Sequence, residues 1–258
     1  MKFSVVIPAR YGSTRLPGKA LADIGGIPMV QHVYEQASRS AAQRVIVATD
    51  DQRIAEALSN YNSDVLMTSK DHPSGTDRLV EVSNLLDLED SDIVVNVQGD
   101  EPLIPPQVID QVAANLIANE DCICATLSEP IMSCIDFLNP SIVKVVSDGA
   151  GRALYFSRAP VPWSRDHIDA ITAGDDSVLQ TLNAQRHIGI YAYRVSLLKQ
   201  FQHWPPAPLE QTESLEQLRI LDHGERIHVA PASAPVPGGV DTPEDLQEVR
   251  NLWDKNHS

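Results

Sequence analysis

The sequence has no Gly-x-Gly-x-x-Gly dinucleotide fingerprint and no complete P-loop, because its Gly18-Lys19 pair is followed by Ala20 where a P-loop needs Ser or Thr. Cysteine is scarce. Cys122, Cys124 and Cys134 are too few for a disulfide framework. Cys122-x-Cys124 is tighter than zinc spacing, and no histidine cluster lies near it. The three read as reduced core thiols of a cytoplasmic protein. Positive charge is also short: 20 Lys and Arg face 35 Asp and Glu, a formal net charge of −15. That balance disfavours nonspecific nucleic-acid binding and anionic membrane surfaces. No apolar run is long enough to span a bilayer, and residues 1–8 lack a signal-peptide cleavage pattern, so no stable membrane association is expected. Repeats, low-complexity tracts and a Ser-His-Asp or Cys-His arrangement are not apparent.

What is present is an α/β alternation in a chain of 258 residues, ample for a buried core. Phe3–Pro8 is a short strand, apolar on both faces. Pro28 opens a helix with Met29, Val33, Tyr34 and Ala37 at helical spacing. Arg44–Thr49 is a second buried strand, and Asp50 and Asp51 cap the helix after it. Further strands are expected at Asp64–Met67, Asp92–Val97 and Cys122–Leu127, with a helix from Pro105. Such alternation predicts a mostly parallel sheet flanked by helices, with right-handed crossovers. From about residue 130 the pattern changes. Val143–Val146 and Ala153–Ser157 read as antiparallel strands around Asp148-Gly149. Residues 164–181 read as a polar mobile loop, Arg186–Tyr193 as a strand, and Glu210–Leu221 as one helix. Asp241 or Thr242 is the expected cap of a last helix with Pro243 at its first position. The whole, 1–258, reads as a single domain with a strand-rich elaboration at about 130–200.

Three loops carry candidate chemistry. Residues 7–19, IPARYGSTRLPGK, follow the first strand, where α/β proteins seat phosphates. Arg10, Arg15 and Lys19 are therefore candidates for triphosphate contacts; the alternative is a solvated basic turn. The segment 72–78, HPSGTDR, opens a helix and offers hydroxyls and N–H groups either to a ligand or to capping by Thr76. In VNVQGDEP, 95–102, Asp100 stands just beyond a buried strand, well placed to hold Mg²⁺, and Gly99 permits close backbone approach.

Those three segments, with LYFSRAPVPW at 154–163, RHIGIYAYR at 186–194 and GVDTPEDL at 239–246, resemble the 3-deoxy-manno-octulosonate (KDO) cytidylyltransferases, the CMP-KDO synthetases of lipopolysaccharide synthesis. The motifs run in the family's order over nearly the whole chain. The resemblance implies a Rossmann-like nucleotidyltransferase fold, Mg²⁺, a homodimer formed through the strand-rich elaboration, and transfer of CMP from CTP to the C2 hydroxyl of KDO with release of pyrophosphate. Rival readings are the same reaction on an amino-KDO or another acid sugar, a metal-dependent glycosyltransferase, and a noncatalytic CTP sensor. Asp100-Glu101-Pro102 is not the Asp-x-Asp pattern usual in such glycosyltransferases.

The resemblance also implies roles. Arg10 and Lys19 hold the triphosphate, with Arg15 as helper, and Lys19 meets the charge that develops on leaving pyrophosphate. Pro8, Ala9, Ser74 and Gly75 frame the cytidine. Asp100 and Asp241 are the metal carboxylates. Arg78 and Arg158 are partners for the sugar carboxylate or a phosphate. Gln98, His187, Tyr191, Glu213 and Gln217 read sugar hydroxyls, though strand packing alone also accounts for His187 and Tyr191. Glu213 and Gln217, at i and i+4 of one expected helix, would face the same cleft.

Overall fold

The computed structural model describes residues 2–257 apart from Thr14 and Pro73, with the backbone alone for Asn256 and His257. Thr14 of the first loop and Pro73 of the second thus lie outside the described residues. Two compact units emerge. One comprises residues up to 114, 190–202 and from 233 on; the other comprises 115–189 and 203–232.

In the first unit, the runs of Val, Ile and Ala form a parallel sheet in the order Ile93–Asn96, Ser4–Ala9, Arg44–Thr49, Val65–Met67. Val5 is the register anchor, opposite Val45 on one side and Val95 on the other. The second half of the strand Gln185–Arg194 adds to this sheet antiparallel to Ile93–Asn96, with Tyr191 opposite Asn96. Val5, Val6, Ile7, Ile46, Val47, Val94 and Val95 have no exposed surface, as expected of strands covered on both faces. Helices Met29–Ser38, Gln52–Leu58 and Gly75–Leu85 pack on these strands through Val30 and Val33, Ile54 and Leu58, and Leu79 and Val82. The mostly parallel α/β architecture is thus the expected one.

Several boundaries differ from expectation. Asp64 lies outside the strand Val65–Met67, the helix expected from Pro105 runs Pro106–Ala118, and the strand expected at Cys122–Leu127 runs Cys124–Pro130. Asp51 caps the second helix as expected, its Oδ1 accepting from the Arg53 N–H at 3.0 Å. The cap of Gly75–Leu85 is Ser74, not Thr76. Ser74 Oγ accepts from Asp77 N–H at 3.2 Å, and Asp77 Oδ2 accepts from Ser74 N–H at 3.1 Å. Thr76 is buried inside the first turn. The last helix, Pro243–His257, has the same device: Thr242 Oγ1 accepts from Asp245 N–H at 3.2 Å and Asp245 Oδ2 from Thr242 N–H at 2.8 Å.

In the second unit, Cys124–Pro130 pairs parallel with Ile227–Pro231, and Lys144–Ser147 pairs antiparallel with Ala153–Ser157 and with the first half of Gln185–Arg194. Two expectations fail here. Residues 164–181 are not one loop: Ile168–Thr172, Asp176–Val178 and Leu179–Leu182 are short helical pieces. Ile171 and Leu179 hold them to a cluster with Ile131, Cys134, Phe137 and Ala184, an apolar anchor hidden in a polar sequence. Nor is Glu210–Leu221 one helix. Ser214 takes φ 52°, a left-handed conformation that ends Pro208–Glu213 and forces a new start at Gln217–Asp222. The i,i+4 relation of Glu213 and Gln217 is lost with it. All three cysteines are free and buried. No helix among the described residues is long and apolar enough to cross a membrane.

Lys144 is the main polar anchor of this unit. Fully buried, it donates to the carbonyls of Asn139 (2.9 Å), Ile142 (2.7 Å) and Arg158 (2.7 Å). Burial pulls its pKa below the usual lysine value. Lys144→Met keeps the stem but strips three carbonyls of a donor, each loss costing about 1–3 kcal/mol. Urea denaturation should show a loss of about 3 kcal/mol or more; an unchanged midpoint would show the carbonyls do not need the ammonium.

Candidate active site

At the carboxyl edge of the parallel sheet in the first unit, the loops after Ser4–Ala9 and Ile93–Asn96, the N-terminus of Gly75–Leu85 and the segment before Pro243 surround a cleft of about 390 Å³, within the usual range for small-ligand sites. Pro8, Ala9, Arg10, Arg15, Lys19, Gly75, Gln98, Asp100 and Asp241 all line it, so nine of the expected site residues converge. Gly99 has the role of a close-approach residue, but toward protein: a Cβ there would sit 2.8 Å from Pro8 O.

The floor is a shared ammonium. Lys19 Nζ donates to Asp100 Oδ2 and, at 3.1 Å, to Asp241 Oδ1. Arg15 Nη2 lies 3.0 Å from the same Asp241 oxygen. Burial works against the charge on Lys19, but the hydrogen bonds and charges of the two aspartates outweigh it and hold its pKa above the usual value. The two carboxylates are brought side by side by backbone: Val240 N–H donates to Asp100 O at 2.8 Å. Two carboxylates form an oxygen-only donor set that suits Mg²⁺, with phosphate oxygens and water for the remaining places. Among the described residues there is no group of three or more His, Cys, Asp and Glu side chains able to hold a metal, so these two carboxylates would leave most of the shell to water or substrate oxygens.

The second loop is tied to the first. Arg10 Nη2 donates to the carbonyls of His72 and Ser74, both at 2.9 Å. Glu81 accepts from Ser69 N–H at 2.8 Å and pairs with His72 Nε2. Arg78 is not among the residues lining the cleft. It is fully buried, bonded to Thr68 Oγ1 and 3.4 Å from Asp50, and its Nε and Nη2 make no hydrogen bond. Tyr191 is buried, stacked on Tyr193 with ring centroids 5.4 Å apart.

The remaining expected residues lie in the second unit. Arg158 and Glu213 meet there. Arg158 Nε donates to Glu213 O at 2.7 Å, Nη1 to Pro140 O at 3.1 Å and Nη2 to Ser214 O at 3.4 Å, so backbone carbonyls already occupy the guanidinium. Glu213 accepts from Arg158 N–H (2.9 Å), Ser157 Oγ (2.7 Å) and Tyr155 Oη (3.3 Å). Burial pushes its carboxyl up, but these hydrogen bonds win and leave its pKa below the usual value. The half-buried His187 ring lies 3.0 Å from Thr126 Oγ1, and burial pulls its pKa down to about 3. Gln217 is buried. Sequence reasoning missed that Arg53, held by Asp51, contacts Tyr11 of the first loop. Arg53 stands 3.3 Å over the Tyr11 ring, a contact with no motif to announce it.

An α/β sheet whose carboxyl edge gathers loop cations and two carboxylates at one cleft fits a nucleotidyltransferase. Comparison narrows the class. Residues 4–227 match the cytidylyltransferase family model. The 3-deoxy-manno-octulosonate cytidylyltransferase of Cellvibrio japonicus is 63% identical over 98% of both chains, and that of Pseudomonas syringae pv. syringae 58% over 97% of both. A solved CMP:2-keto-3-deoxy-manno-octonic acid synthetase complexed with CTP is 42% identical, covers 99% of this chain and 100% of its own, and superposes with a TM-score of 0.86. A Leptospira borgpetersenii cytidylyltransferase shares the fold at a TM-score of 0.59 and 18% identity. This chain belongs to the cytidylyltransferase family, and within it to the 3-deoxy-manno-octulosonate cytidylyltransferases.

Glu101, next to Asp100, keeps some exposed surface, but its Oε2 is sealed from water without a hydrogen-bond partner. Burial, with the Asp100 charge added, pushes its carboxyl up to about 8. A folded value above the unfolded one means the fold holds a proton the unfolded chain releases. Stability is therefore intact near pH 4 and declines as pH rises toward 8. In EDTA, Glu101→Gln should match the wild type near pH 4–5 and exceed it at pH 9 by an amount on the order of a few kcal/mol. Parallel stability curves across that range would refute the sealed carboxyl.

Proposed function

We propose that this chain transfers CMP from CTP to the anomeric C2 hydroxyl of KDO, releasing pyrophosphate, as a step of lipopolysaccharide synthesis. The observation that carries the reading is Lys19, its ammonium held between Asp100 and Asp241 at the floor of a cleft that Arg10 and Arg15 also line. The names of the full-length relatives and the CTP complex of the similar synthetase support it.

The sugar hydroxyl oxygen attacks the α-phosphorus, the bond to the β-phosphate oxygen breaks, and the hydroxyl proton is lost to solvent or a nearby base. Such a transfer needs positioning and charge neutralisation more than covalent help. Arg10, Arg15 and Lys19 bind the triphosphate, and Lys19 donates toward the departing pyrophosphate. Pro8, Ala9, Ser74 and Gly75 frame the cytidine. Asp100 and Asp241 would hold Mg²⁺, which when bound neutralises phosphate charge and eases ionisation of the sugar hydroxyl. Gln98, which lines the cleft, serves the sugar hydroxyls. Arg78, fully buried, ion-paired to Asp50 at 3.4 Å and away from the cleft lining, is left out of the substrate contacts.

A homodimer formed through the strand-rich elaboration, where Ile135, Trp163 and Leu154 are exposed, is part of the same proposal. Three free thiols support a cytoplasmic location.

The first assay is pyrophosphate release from CTP and Mg²⁺ with and without KDO. Release only with KDO, with CMP-KDO as product, is expected. Release only with another acid sugar would replace the substrate, and none with any acid sugar would overturn the transferase reading. Lys19→Ala should lower kcat by about 10²–10³-fold, the usual effect of removing one preorganised donor. Asp100→Asn should cut turnover severely and raise the Mg²⁺ concentration for half-maximal rate, with the melting temperature little changed. Wild-type rates in either variant would remove that residue from its role.

A further inference from the structure

The first loop must hold Lys19 in place across a run containing Gly12 and Gly18, residues that add backbone freedom. The chain reverses at Gly18, whose φ of +70° is left-handed and whose N–H donates to Tyr11 O at 3.2 Å. Gly18 O then accepts from Leu21 N–H at 2.8 Å to start the short helical turn Lys19–Leu21. The Tyr11 ring lies against this reversal, since a Cβ on Gly18 would be 3.5 Å from its edge. Over the ring stands Arg53, with its Cζ 3.3 Å from the centroid. Arg53 is aimed by Asp51, whose Oδ1 accepts from Nε at 2.8 Å and Oδ2 from Nη2 at 2.6 Å, a two-point carboxylate clasp. Asp51 also caps the helix Gln52–Leu58, so the clasp is anchored at the end of a strand and the start of a helix.

We propose that Arg53 is a positioning residue for the triphosphate-binding loop: held by Asp51, its guanidinium fixes Tyr11, and Tyr11 fixes Gly18 and with it the reach of Lys19. The clamp rests on the reading of Lys19 as the triphosphate cation. Arg53 itself is engaged by Asp51 and the ring, so its contribution passes through the loop and not through contact with phosphate.

The test compares the wild type with Arg53→Met, Tyr11→Leu, the double variant and Tyr11→Phe. Two readouts are taken: hydrogen exchange in peptides covering residues 11–21 without substrate, and kcat with KM for CTP and for KDO. A solvent-accessible cation–π contact sets the scale at about two- to fivefold. Arg53→Met and Tyr11→Leu should each speed exchange by that factor and lower kcat/KM for CTP to match, with KM for KDO unchanged. The double variant should be no worse than either single one, because both remove the same contact. Tyr11→Phe, which keeps the ring, should behave as wild type.

Unchanged exchange in Arg53→Met would overturn the clamp. So would additive losses, faster exchange with unaltered CTP kinetics, or weaker CTP kinetics with wild-type exchange, the last meaning that Arg53 meets the phosphates directly. Should the wild type release no pyrophosphate with any acid sugar, the functional reading falls, while the exchange experiment still decides whether Arg53 orders the loop.

Discussion

One ammonium holds two carboxylates together: Lys19 reaches Asp100, 81 positions further along the chain, and Asp241, 222 positions further. Like charges at contact distance repel strongly in a half-buried cleft. The shared ammonium turns that repulsion into attraction and stitches together the first loop, the loop after Ile93–Asn96 and the segment before the last helix. The parallel sheet makes this possible, because its strands deliver their carboxyl ends, and hence those loops, to one edge. The register of Val5 with Val45 and Val95 is therefore an indirect determinant of the site geometry.

The sequence revealed most of this edge. Continuous aliphatic runs ended by Pro, Gly or Asp mark buried parallel strands with little ambiguity, and glycine next to charge at such an end marks a ligand loop. Asp241 had no comparable local signal. It became a candidate through resemblance, and its place beside Asp100 depends on a backbone hydrogen bond from Val240 that no residue pattern encodes. Gly99 was legible as a close-approach residue, but the approaching group is the Pro8 carbonyl.

Elsewhere the limits are physical. Ser214 adopts a conformation that composition gives no reason to expect outside glycine or asparagine, and a single residue divides an otherwise continuous helical pattern. Residues 164–181 are polar on average, but Ile171 and Leu179 suffice to anchor them. Arg158 shows a more general difficulty. A guanidinium has the same formula whether it faces a substrate or, as here, three carbonyls, and only coordinates tell which acceptors claim it. Lys144 adds the converse case of a buried charge with its donors spent entirely on backbone.

The hydrogen bond from Val240 to Asp100 also bears on how the protein comes into being. On the ribosome, the first loop and Asp100 emerge long before Asp241 is synthesised. A chain made only as far as Asp100 carries Lys19 and its first carboxylate partner but lacks the second. The pair becomes whole only once the segment carrying Asp241 has followed, so chain order itself separates the two carboxylates in time.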